Sequence, residues 1–528
     1  MSGYQEFKKK FNTTGVCISE KHYMADMSQK IKAVKRLIDN GDYFTINRPR
    51  QYGKTTFLHL IQQELKISHN YLPIKISFEG FGSEILQSEA LFIRAFIESV
   101  YDVYYINSFL SRWFKSFYMM TEKVITMKDL ERWISYFVKR TGKKVVLLID
   151  EVDKISNNQL FMDFLSVLRV KYLNAAEGTG KTFHSVILSG VHDVKSMKSR
   201  IRPDNEIKYN SPWNIAVDFN IDLSFQPNEI KHMLIEYAKD RGVDMDSELI
   251  SKAIHDYTSG YPFLVSSLCQ IVDNKLANKN KTWELKNIEQ AVCHILEVQN
   301  TNFESLVKNI QNSSELYEIL HAIILNGVDM KFNIDNPHIY NGVLYGVLKN
   351  DSGRVKIHNR IYSERIYNYM TSLMETQMNE FSNSGIQYTD AKGHLDMEKV
   401  LTQFQLFMKS QYSKHDKEFL ERNGRLIFLA FIKPIINGNG YDFKEVQISE
   451  EKRLDVVITY NNQKYVVEMK KWYGPKAHEK GLIQLTEYLN HLSLNVGYLL
   501  IFDFRKKTKK FKTEKQIFQN KEICAIWV

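Results

Sequence analysis

Residues 42–65 read DYFTINRPRQYGKTTFLHLIQQEL, and this stretch decides the expected fold of the first third of the chain. Its first apolar residues predict a short strand, and its second half predicts a helix that begins after Gly53. Such a junction places backbone N–H groups and the positive end of the helix where phosphate groups can bind. Lys54 would reach the β and γ phosphates of ATP, and the Thr55 hydroxyl would be a ligand of Mg²⁺.

The loop differs at one position from the usual pattern of a phosphate-binding loop, G-x-x-x-x-G-K-[ST]. Arg48 stands where the first glycine is expected. A strand followed by Gly-Lys-Thr can also arise by chance, so the loop alone leaves a purely structural interpretation open. If the loop binds a nucleotide, the residues expected to contact it are Arg50, Gln51, Tyr52, Gly53, Lys54, Thr55 and Thr56.

An apolar strand that ends in two acids, KKVVLLIDE at residues 143–151, would supply the other half of this site. A fully buried strand gives no structural reason for paired carboxylates at its tip. Asp150 is suited to hold Mg²⁺ through water, and Glu151 to polarise the water that attacks the γ phosphate. The alternative is a strand that runs into an acidic turn, with Asp153 capping a helix.

Three further residues are weaker candidates for the same site. Ser189 ends the apolar strand SVILSG and could sense the γ phosphate or orient water, or be a turn residue. Arg200 and Arg202 could reach the nucleotide of a neighbouring subunit, which would make the chain a homo-oligomer. Both arginines could equally be ordinary surface residues.

The first third alternates short apolar runs with helical patterns, which predicts an α/β fold with helices on both faces of a parallel sheet. The aromatic-rich segment 85–140 is predicted to form helices between the second and third strands. From Gln226-Pro227-Asn228-Glu229 onward the pattern is helical, and a turn at Asp351-Ser352-Gly353 separates two short candidate strands. The expected strands lie near residues 43–47, 73–79, 144–150, 182–190 and 215–223.

Because 528 residues are too many for one hydrophobic core, several domains are expected. A polar segment around FSNSGIQYTDAKGHLD is the best linker candidate. The predicted domains are a P-loop core at 1–225, a helical lid at 226–305, a winged-helix-like module at 306–375, linker helices at 376–415 and a C-terminal α/β domain at 416–528.

Two strands of the last domain, RLDVVITY (453–460) and KYVVEMKKW (464–472), carry a second set of candidate residues. In an antiparallel hairpin Asp455 and Glu468 come together on one side of the sheet. Both would bind Mg²⁺ or Mn²⁺ through oxygen, and Lys470, on the same face, would approach an attacking water. The pattern Asp…Glu-x-Lys is also frequent by chance, and the alternative is a domain kept for binding or assembly.

Adjacent helices add three candidates to this second site. Glu421 on the preceding helix could complete the metal shell, although glutamate is common on helix surfaces. Gln484 and Tyr488 lie one turn apart on the following helix, GLIQLTEYLNHL. The order helix, hairpin, helix, strand is intact.

The charge of the chain favours a polyanionic partner. Lys and Arg exceed Asp and Glu by 71 − 61 = 10, and the pI is about 9.0. One short basic stretch could follow a phosphate backbone, or be a solvated loop. It contains Arg505, Lys506, Lys507, Lys509, Lys510, Lys512 and Lys515 against the single acid Glu514.

No apolar segment of the sequence is long enough to cross a bilayer, and the first residues lack the apolar core of a secretion signal. The four cysteines are widely scattered, which argues against a disulfide framework and against a structural zinc site. A soluble cytoplasmic protein without a membrane partner is therefore expected.

The phrases NRPRQYGKTT, LLIDEVD and HDVKSMKSRIRP together resemble the AAA-ATPase-like domain found with a PD-(D/E)XK nuclease domain in many bacterial proteins. Members of that group also replace the first glycine of the loop, within an RPR-x-x-GKT pattern. The resemblance covers nearly the full chain. It implies ATP binding and hydrolysis on an additional-strand P-loop fold, followed by a nuclease-like domain.

The C-terminal candidates also resemble that nuclease core residue by residue. Asp455, Glu468 and Lys470 match its acidic and lysine positions, with Leu454 where a proline often stands. In that family a Q-x-x-x-Y helix accompanies the Glu-x-Lys strand, and Gln484 and Tyr488 match it. The leading hypothesis is an ATP-controlled enzyme that cuts nucleic acid, with DNA as the expected substrate. The alternatives are an ATPase signalling switch whose last domain only binds a partner or nucleic acid, and a nuclease that binds nucleotide structurally.

Overall fold

The protein forms two compact units in a computed structural model. The first comprises Met1–Asn309 and Phe332–Tyr362, and the second comprises Ile310–Lys331 and Ser363–Val528. The structure describes residues 9–107, 124–191, 212–276, 282–324, 328–377, 388–390, 393–411, 428–429, 431–432, 440–443, 447–449, 452–453, 456–460, 463–472, 474–503 and 511–528.

A four-stranded parallel sheet lies at the centre of the first unit. Its order is β1-β4-β3-β2, so β4 is inserted between β1 and β3. The residues of β3 and β4 are buried almost throughout, as expected for strands covered on both faces. The strands are β1 (Phe44–Asn47), β2 (Tyr71–Ser77), β3 (Lys144–Asp150) and β4 (Ser185–Gly190).

Five helices accompany these strands. The segment predicted to form helices between the second and third strands contains α3 and α4 in its described part. These two helices and α5 contribute to one large apolar core with the sheet, which includes Phe92, Phe137 and Phe164. The helices are α1 (Ser28–Asn40), α2 (Lys54–Ile67), α3 (Glu89–Asn107), α4 (Met127–Thr141) and α5 (Gln159–Ala176).

The predicted fifth strand, residues 215–223, is wrong. Only Val217 in this segment pairs with the sheet, through a single parallel bridge to Phe44. The segment alternates apolar and polar residues as an edge strand does, but its backbone is used elsewhere. The carbonyl of Ile221 accepts a hydrogen bond from the Arg48 side chain at 2.6 Å instead of continuing a ladder.

Helices follow the sheet, and the predicted helix start at Gln226-Pro227-Asn228-Glu229 is confirmed. Pro227 is the first helical residue, and Gln226 and Glu229 form a reciprocal capping box. A short π-helix, Val272–Leu276, extends α8. The elements are α6 (Pro227–Arg241), β5 (Asp244–Met245), α7 (Ser247–Thr258), α8 (Pro262–Ile271), β6 (Thr282–Trp283) and α9 (Leu285–Glu297).

Gly260, between α7 and α8, lies very close to the backbone of Phe225. It has a φ of +70°, and a Cβ atom there would lie 2.1 Å from the carbonyl oxygen of Phe225. Gly242 also has a positive φ, of +63°, but a Cβ atom there would have nothing within 4 Å of it. We expect Gly242→Ala to lower the free energy of unfolding by about 1 kcal/mol, from backbone strain alone. Gly260→Ala should lower it by roughly 3 kcal/mol or more, since steric overlap adds to the strain.

Urea or thermal unfolding of the two alanine variants measures this difference. Equal losses of stability in both would contradict the close contact between Gly260 and Phe225.

The segment of the predicted winged-helix-like module contains helices, a two-stranded hairpin and a further helix. The turn at Asp351-Ser352-Gly353 is confirmed, because Ser352 and Gly353 both have positive φ, of 51° and 81°, as a tight hairpin turn requires. The division between the two units falls inside this segment. Its elements are α10 (Thr301–Gln311), α11 (Ser314–Ile324), α12 (Pro337–Leu344), β7 (Leu348–Asp351), β8 (Arg354–Ile357) and α13 (Arg360–Gln377).

The second unit is built on a six-stranded mixed sheet of order β15-β16-β14-β13-β12-β9. Strands β13, β14 and β16 are parallel, and the other pairs are antiparallel. The elements are α14 (Met397–Gln411), β9 (Gly440–Phe443), β10 (Gln447–Ser449), β11 (Lys452–Arg453), β12 (Val456–Tyr460), β13 (Gln463–Lys471), α15 (Pro475–His491), β14 (Val496–Phe502), β15 (Thr513–Phe518) and β16 (Lys521–Trp527).

Helix α14 lies in the segment assigned to linker helices, yet it contacts this sheet. The Gln405 side chain donates to the carbonyl oxygens of Lys512 and Trp527, at 3.2 and 2.8 Å. Strands β15 and β16, which the sequence patterns did not predict, extend the sheet beyond β14. Among the helices that the structure describes, none combines the length and the apolar character needed to span a membrane.

Candidate functional site

The loop between β1 and α2 has the backbone of a phosphate-binding loop. Gly53 has a φ of +77° and immediately precedes α2, which begins at Lys54. Gln51 also has a positive φ, of 56°, which is unusual for a residue other than glycine and marks local strain. The Lys54 ammonium group donates to the carbonyl oxygens of Arg48 and Pro49, each at 2.9 Å. The Lys54 side chain therefore lies over the loop, where its ammonium group could contact bound phosphate groups.

The structure explains how Arg48 replaces the usual first glycine. Its backbone does not have a positive φ, so glycine is not needed for conformation. Its guanidinium group donates to the carbonyls of Asn47 and Ile221, at 2.7 and 2.6 Å. It also lies 5.4 Å from the centre of the Phe219 ring. The side chain is thus anchored on the segment after β4.

The acidic end of β3 meets the end of β4, because parallel neighbours end at the same edge of a sheet. Ser189 donates its hydroxyl to Asp150 Oδ1 at 2.9 Å, and the backbone N–H of Glu151 donates to the same oxygen at 3.1 Å. Glu151 has a φ of +56°. The structure therefore brings together Asp150, Glu151 and Ser189. Asp153 does not cap a helix through its side chain; it accepts a hydrogen bond from Val191.

Burial shifts the protonation of two groups in this site in opposite directions. Burial lowers the pKa of Lys54, and the nearby carboxylates of Asp153, Glu151 and Asp150 oppose that shift. Burial raises the pKa of Glu151, and the charge of Asp150 adds to this effect. The charged form of Lys54 is therefore less favoured than that of an ordinary lysine, and Glu151 is a stronger base than an ordinary glutamate.

Two contacts that sequence reasoning missed support the start of α2. The backbone N–H of Cys17 donates to the Thr56 hydroxyl at 3.0 Å, so a segment far away in the chain touches the first turn of the helix. Lys75 on β2 donates to the carbonyl of Thr55 at 3.2 Å. No local pattern around Cys17 or Lys75 predicts these contacts.

Gly260-Tyr261-Pro262 interrupts the helical pattern of the predicted lid and, from sequence, could back the adenine or simply end a helix. In the structure this motif touches the loop. The Tyr261 hydroxyl donates to the carbonyl of Arg50 at 2.6 Å, and its ring lies 4.8 Å from the ring of Tyr52, edge to face. A Cβ on Gly53 would lie 3.9 Å from Pro262. The interruption between two helices is the sequence signal that could have found this contact.

The β7–β8 hairpin region contacts the loop from another direction. A Cβ on Gly346 would lie 2.6 Å from Cγ of Pro49, so only glycine fits at this approach. The Tyr52 hydroxyl lies 3.4 Å from Nε2 of His358, and burial lowers the pKa of His358 to about 4. The imidazole is therefore neutral at neutral pH.

In the second unit, Glu468 and Lys470 lie on the same face of β13. Glu468 Oε1 and the Lys470 ammonium nitrogen are 2.7 Å apart. Glu468 has no exposed side-chain surface, whereas Lys470 keeps 35% of its own. The aliphatic part of Lys470 packs beside α15, where a Cβ on Gly481 would lie 3.4 Å from Lys470 Cγ. A buried carboxylate thus lies next to a lysine that solvent can reach.

Helix α15 covers this face of the sheet. Val457 of β12 is close to its partner Val466 of β13, and both belong to the apolar core beneath the helix. Tyr488 is buried in that core, and Gln484 is half-buried on the same helix. Asp455 and Glu421, the other predicted metal ligands, lie outside the described residues, as do Arg200 and Arg202.

The donors of both sites suit a hard divalent cation. Thr55 and Asp150 offer oxygen atoms at the phosphate-binding loop, and Glu468 offers a buried carboxylate. No cluster of three or more histidine, cysteine, aspartate or glutamate side chains suited to a metal occurs within the part of the chain that the structure describes. Sites that combine one or two protein carboxylates with substrate phosphates and water are typical of Mg²⁺.

A phosphate-binding loop on an α/β sheet, with β4 between the loop strand and the acidic strand, defines the first unit as a P-loop ATPase fold. The chain belongs to the family described as the AAA-like domain, whose model matches residues 12–368. The expected parallel-sheet P-loop fold is thereby confirmed.

Several solved structures are similar to this chain. A Walker-type ATPase of Pyrococcus abyssi, PABY2304, is 13% identical with a TM-score of 0.46, covering 67% of this chain and 99% of that one. The ORC2 protein of Aeropyrum pernix is 10% identical with a TM-score of 0.41, covering 67% and 95%. The RuvB branch migration motor of Thermotoga maritima is 12% identical with a TM-score of 0.31, covering 66% and 97%. No curated protein matches the chain.

Proposed function

We propose that the first unit binds ATP with Mg²⁺ and hydrolyses it. The observation that carries this proposal is the hydrogen-bonded end of β3 and β4, where Ser189 and the N–H of Glu151 both bind Asp150 Oδ1. That geometry leaves Asp150 available to hold the metal through water. Glu151 stands beside it to accept a proton from the attacking water.

The loop residues Arg50 to Thr56 bind and orient the triphosphate in this proposal. The N–H groups at the start of α2 face the phosphates, and Lys54 exchanges the carbonyls of Arg48 and Pro49 for phosphate oxygens. Two weak interactions of a lysine with neutral carbonyls are replaced by stronger interactions with charged oxygens. Thr55 and Asp150 would hold Mg²⁺, which would neutralise charge at the phosphates.

The second unit, in our proposal, is a PD-(D/E)XK-like nuclease domain that cuts nucleic acid with a divalent ion. The Glu468–Lys470 pair supports it, because a buried carboxylate that could bind a metal lies beside a solvent-accessible lysine that could orient water. Glu468 would hold Mg²⁺ or Mn²⁺ together with Asp455 and Glu421, and the ion supplies Lewis acidity there. Lys470 would orient the attacking water, and Gln484 would position the phosphate.

DNA is the proposed substrate, and the charge of the chain supports a nucleic acid in general. The net charge is +10. Within the basic stretch, Lys512 pairs with Glu514, and Lys515 pairs with Glu398 at 2.6 Å. All four side chains are substantially exposed. Exposed ion pairs contribute little stability, so these lysines can exchange their carboxylate partners for phosphates.

The alternative is an ATPase switch whose second unit binds without cutting. Tyr261, Gly346 and His358 all contact the phosphate-binding loop within the first unit. In both proposals, a nucleotide bound at the loop would therefore change the contacts of the lid and of the β7–β8 hairpin.

The pH dependence of hydrolysis follows from the raised pKa of Glu151. Glu151 acts as a base only when deprotonated, so kcat should rise as the pH increases through its pKa. This rise in kcat should occur at a pH above about 4.3, the pKa of an ordinary glutamate. The rate of phosphate release, measured from acidic to neutral pH at saturating ATP, tests it. A rate that stays level down to the ordinary glutamate value would argue against Glu151 as the base.

One experiment separates the proposed functions. Purified protein is incubated with single- and double-stranded DNA and RNA while Mg²⁺, Mn²⁺ and ATP are varied independently. We expect metal-dependent cutting of DNA together with phosphate release from ATP. ATP turnover with nucleic-acid binding but no cutting under any metal would support the switch instead.

A further inference from the structure

The acidic turn after β3 carries a third carboxylate, Asp153, beside Asp150 and Glu151. It belongs to a short 3-10 helix, Val152–Lys154. Its Oδ2 accepts the backbone N–H of Val191 at 2.5 Å, and Val191 directly follows β4. The side chain therefore links the turn after one strand to the end of its neighbour.

Gly190 permits this contact. A Cβ there would lie 2.9 Å from Cγ2 of Val152 and 3.0 Å from Oδ1 of Asp153. The φ of Gly190 is not positive, so its backbone conformation is open to any residue. A side chain at this position would crowd Val152 and Asp153, because the turn and the strand end are packed directly on each other.

Hydrogen bonds on both sides of Gly190 connect the same two segments. Before it, Ser189 donates to Asp150 at 2.9 Å, and after it, Val191 donates to Asp153 at 2.5 Å. Because the two hydrogen bonds flank Gly190, together they restrict both sliding and rotation of the strand end against the turn. Loss of the second would leave only the Ser189–Asp150 bond of these two hydrogen bonds between the strand end and the turn.

We propose that Asp153 is a positioning residue for ATP hydrolysis. By holding the N–H of Val191, it keeps Ser189 and the Asp150–Glu151 turn in the arrangement needed for attack by water. This inference rests on the proposed hydrolysis of ATP. Its chemical requirement is an acceptor oxygen at the position of Oδ2, which an asparagine can also provide.

Steady-state ATP hydrolysis by Asp153→Ala and Asp153→Asn tests the proposal, with Asp163→Ala on α5 as the control. Asp153→Ala should lower kcat by about tenfold to a hundredfold, while KM for ATP changes by less than about threefold, because binding depends on the loop. Asp153→Asn should keep most of the wild-type kcat. A purely structural role would instead lower the melting temperature without this division between kcat and KM. Equal losses of kcat in both Asp153 variants would overturn the proposal.

Amide hydrogen exchange gives a readout that does not need turnover. The peptide that contains Ser189, Gly190 and Val191 should exchange faster in Asp153→Ala and at the wild-type rate in Asp153→Asn. A wild-type protein that hydrolyses no ATP would reject the proposed function, and the exchange rates would still test the hydrogen bond. Unchanged exchange in Asp153→Ala would overturn the inference.

Discussion

Lys54→Ala is expected to abolish ATP hydrolysis, lowering kcat/KM by at least about a hundredfold, because the charge that stabilises the phosphates in the transition state is lost. Nucleotide affinity should also fall by about tenfold to a hundredfold, as expected for a charge-assisted hydrogen bond. Glu151→Gln should differ: it keeps ATP affinity near wild type and loses turnover, because glutamine cannot accept the proton. Titration with ATP and phosphate release measure the two effects.

Lys66→Ala is the matched control, because Lys66 lies in the last turn of the same helix and is exposed. Its removal should leave affinity and turnover unchanged. Equal ATPase rates for wild type, Lys54→Ala and Glu151→Gln would reject the proposed site. A loss of ATP affinity in Glu151→Gln as large as in Lys54→Ala would place Glu151 in binding and not in catalysis.

Glu468→Gln and Lys470→Ala are expected to remove metal-dependent cutting. Glutamine keeps the shape of the side chain but not the charge that would hold the ion. Loss of Lys470 should lower the rate by about a hundredfold to ten-thousandfold, since the water loses its orienting group. The rate of cleavage of labelled DNA at saturating Mg²⁺ or Mn²⁺ measures both effects.

Two controls separate catalysis from folding in these variants. Glu479→Gln changes an exposed glutamate near the start of α15 and should cut like wild type. ATP hydrolysis by Glu468→Gln and Lys470→Ala should also equal that of wild type, because these residues belong to the other unit. Full cutting activity in either variant would exclude the proposed nuclease site.

Sequence reasoning predicted the local elements of the first unit well. Four of the expected strands occur, because each is an apolar run with a clear break after it. The expected strand at 215–223 failed, because alternation of apolar and polar residues does not reveal that Arg48 uses the Ile221 carbonyl. In the second unit, β15 was missed because Thr513–Phe518 is largely exposed and reads as a basic surface stretch. Strand β16 is a buried apolar run and carried a signal that could have predicted it.

The candidate sites divide in the same way. The loop at Gly53-Lys54-Thr55 and the acids at the end of β3 could be predicted, because each is a short motif with its own chemistry. The contacts of Cys17 and His358 with the loop could not, since they join positions far apart in the chain.

The sequence by itself determined where the chain turns from strand to helix and where acids end a buried strand. It also determined that Glu468 and Lys470 share a face. These features are local, because side chains alternate every two residues along a strand and glycine marks the turns that need a positive φ. Only the tertiary structure decided that β4 lies between β1 and β3, that Ser189 reaches Asp150 and that Asp153 holds Val191. These contacts depend on strand order and on side chains meeting across long stretches of chain, and local patterning does not specify such long-range pairing.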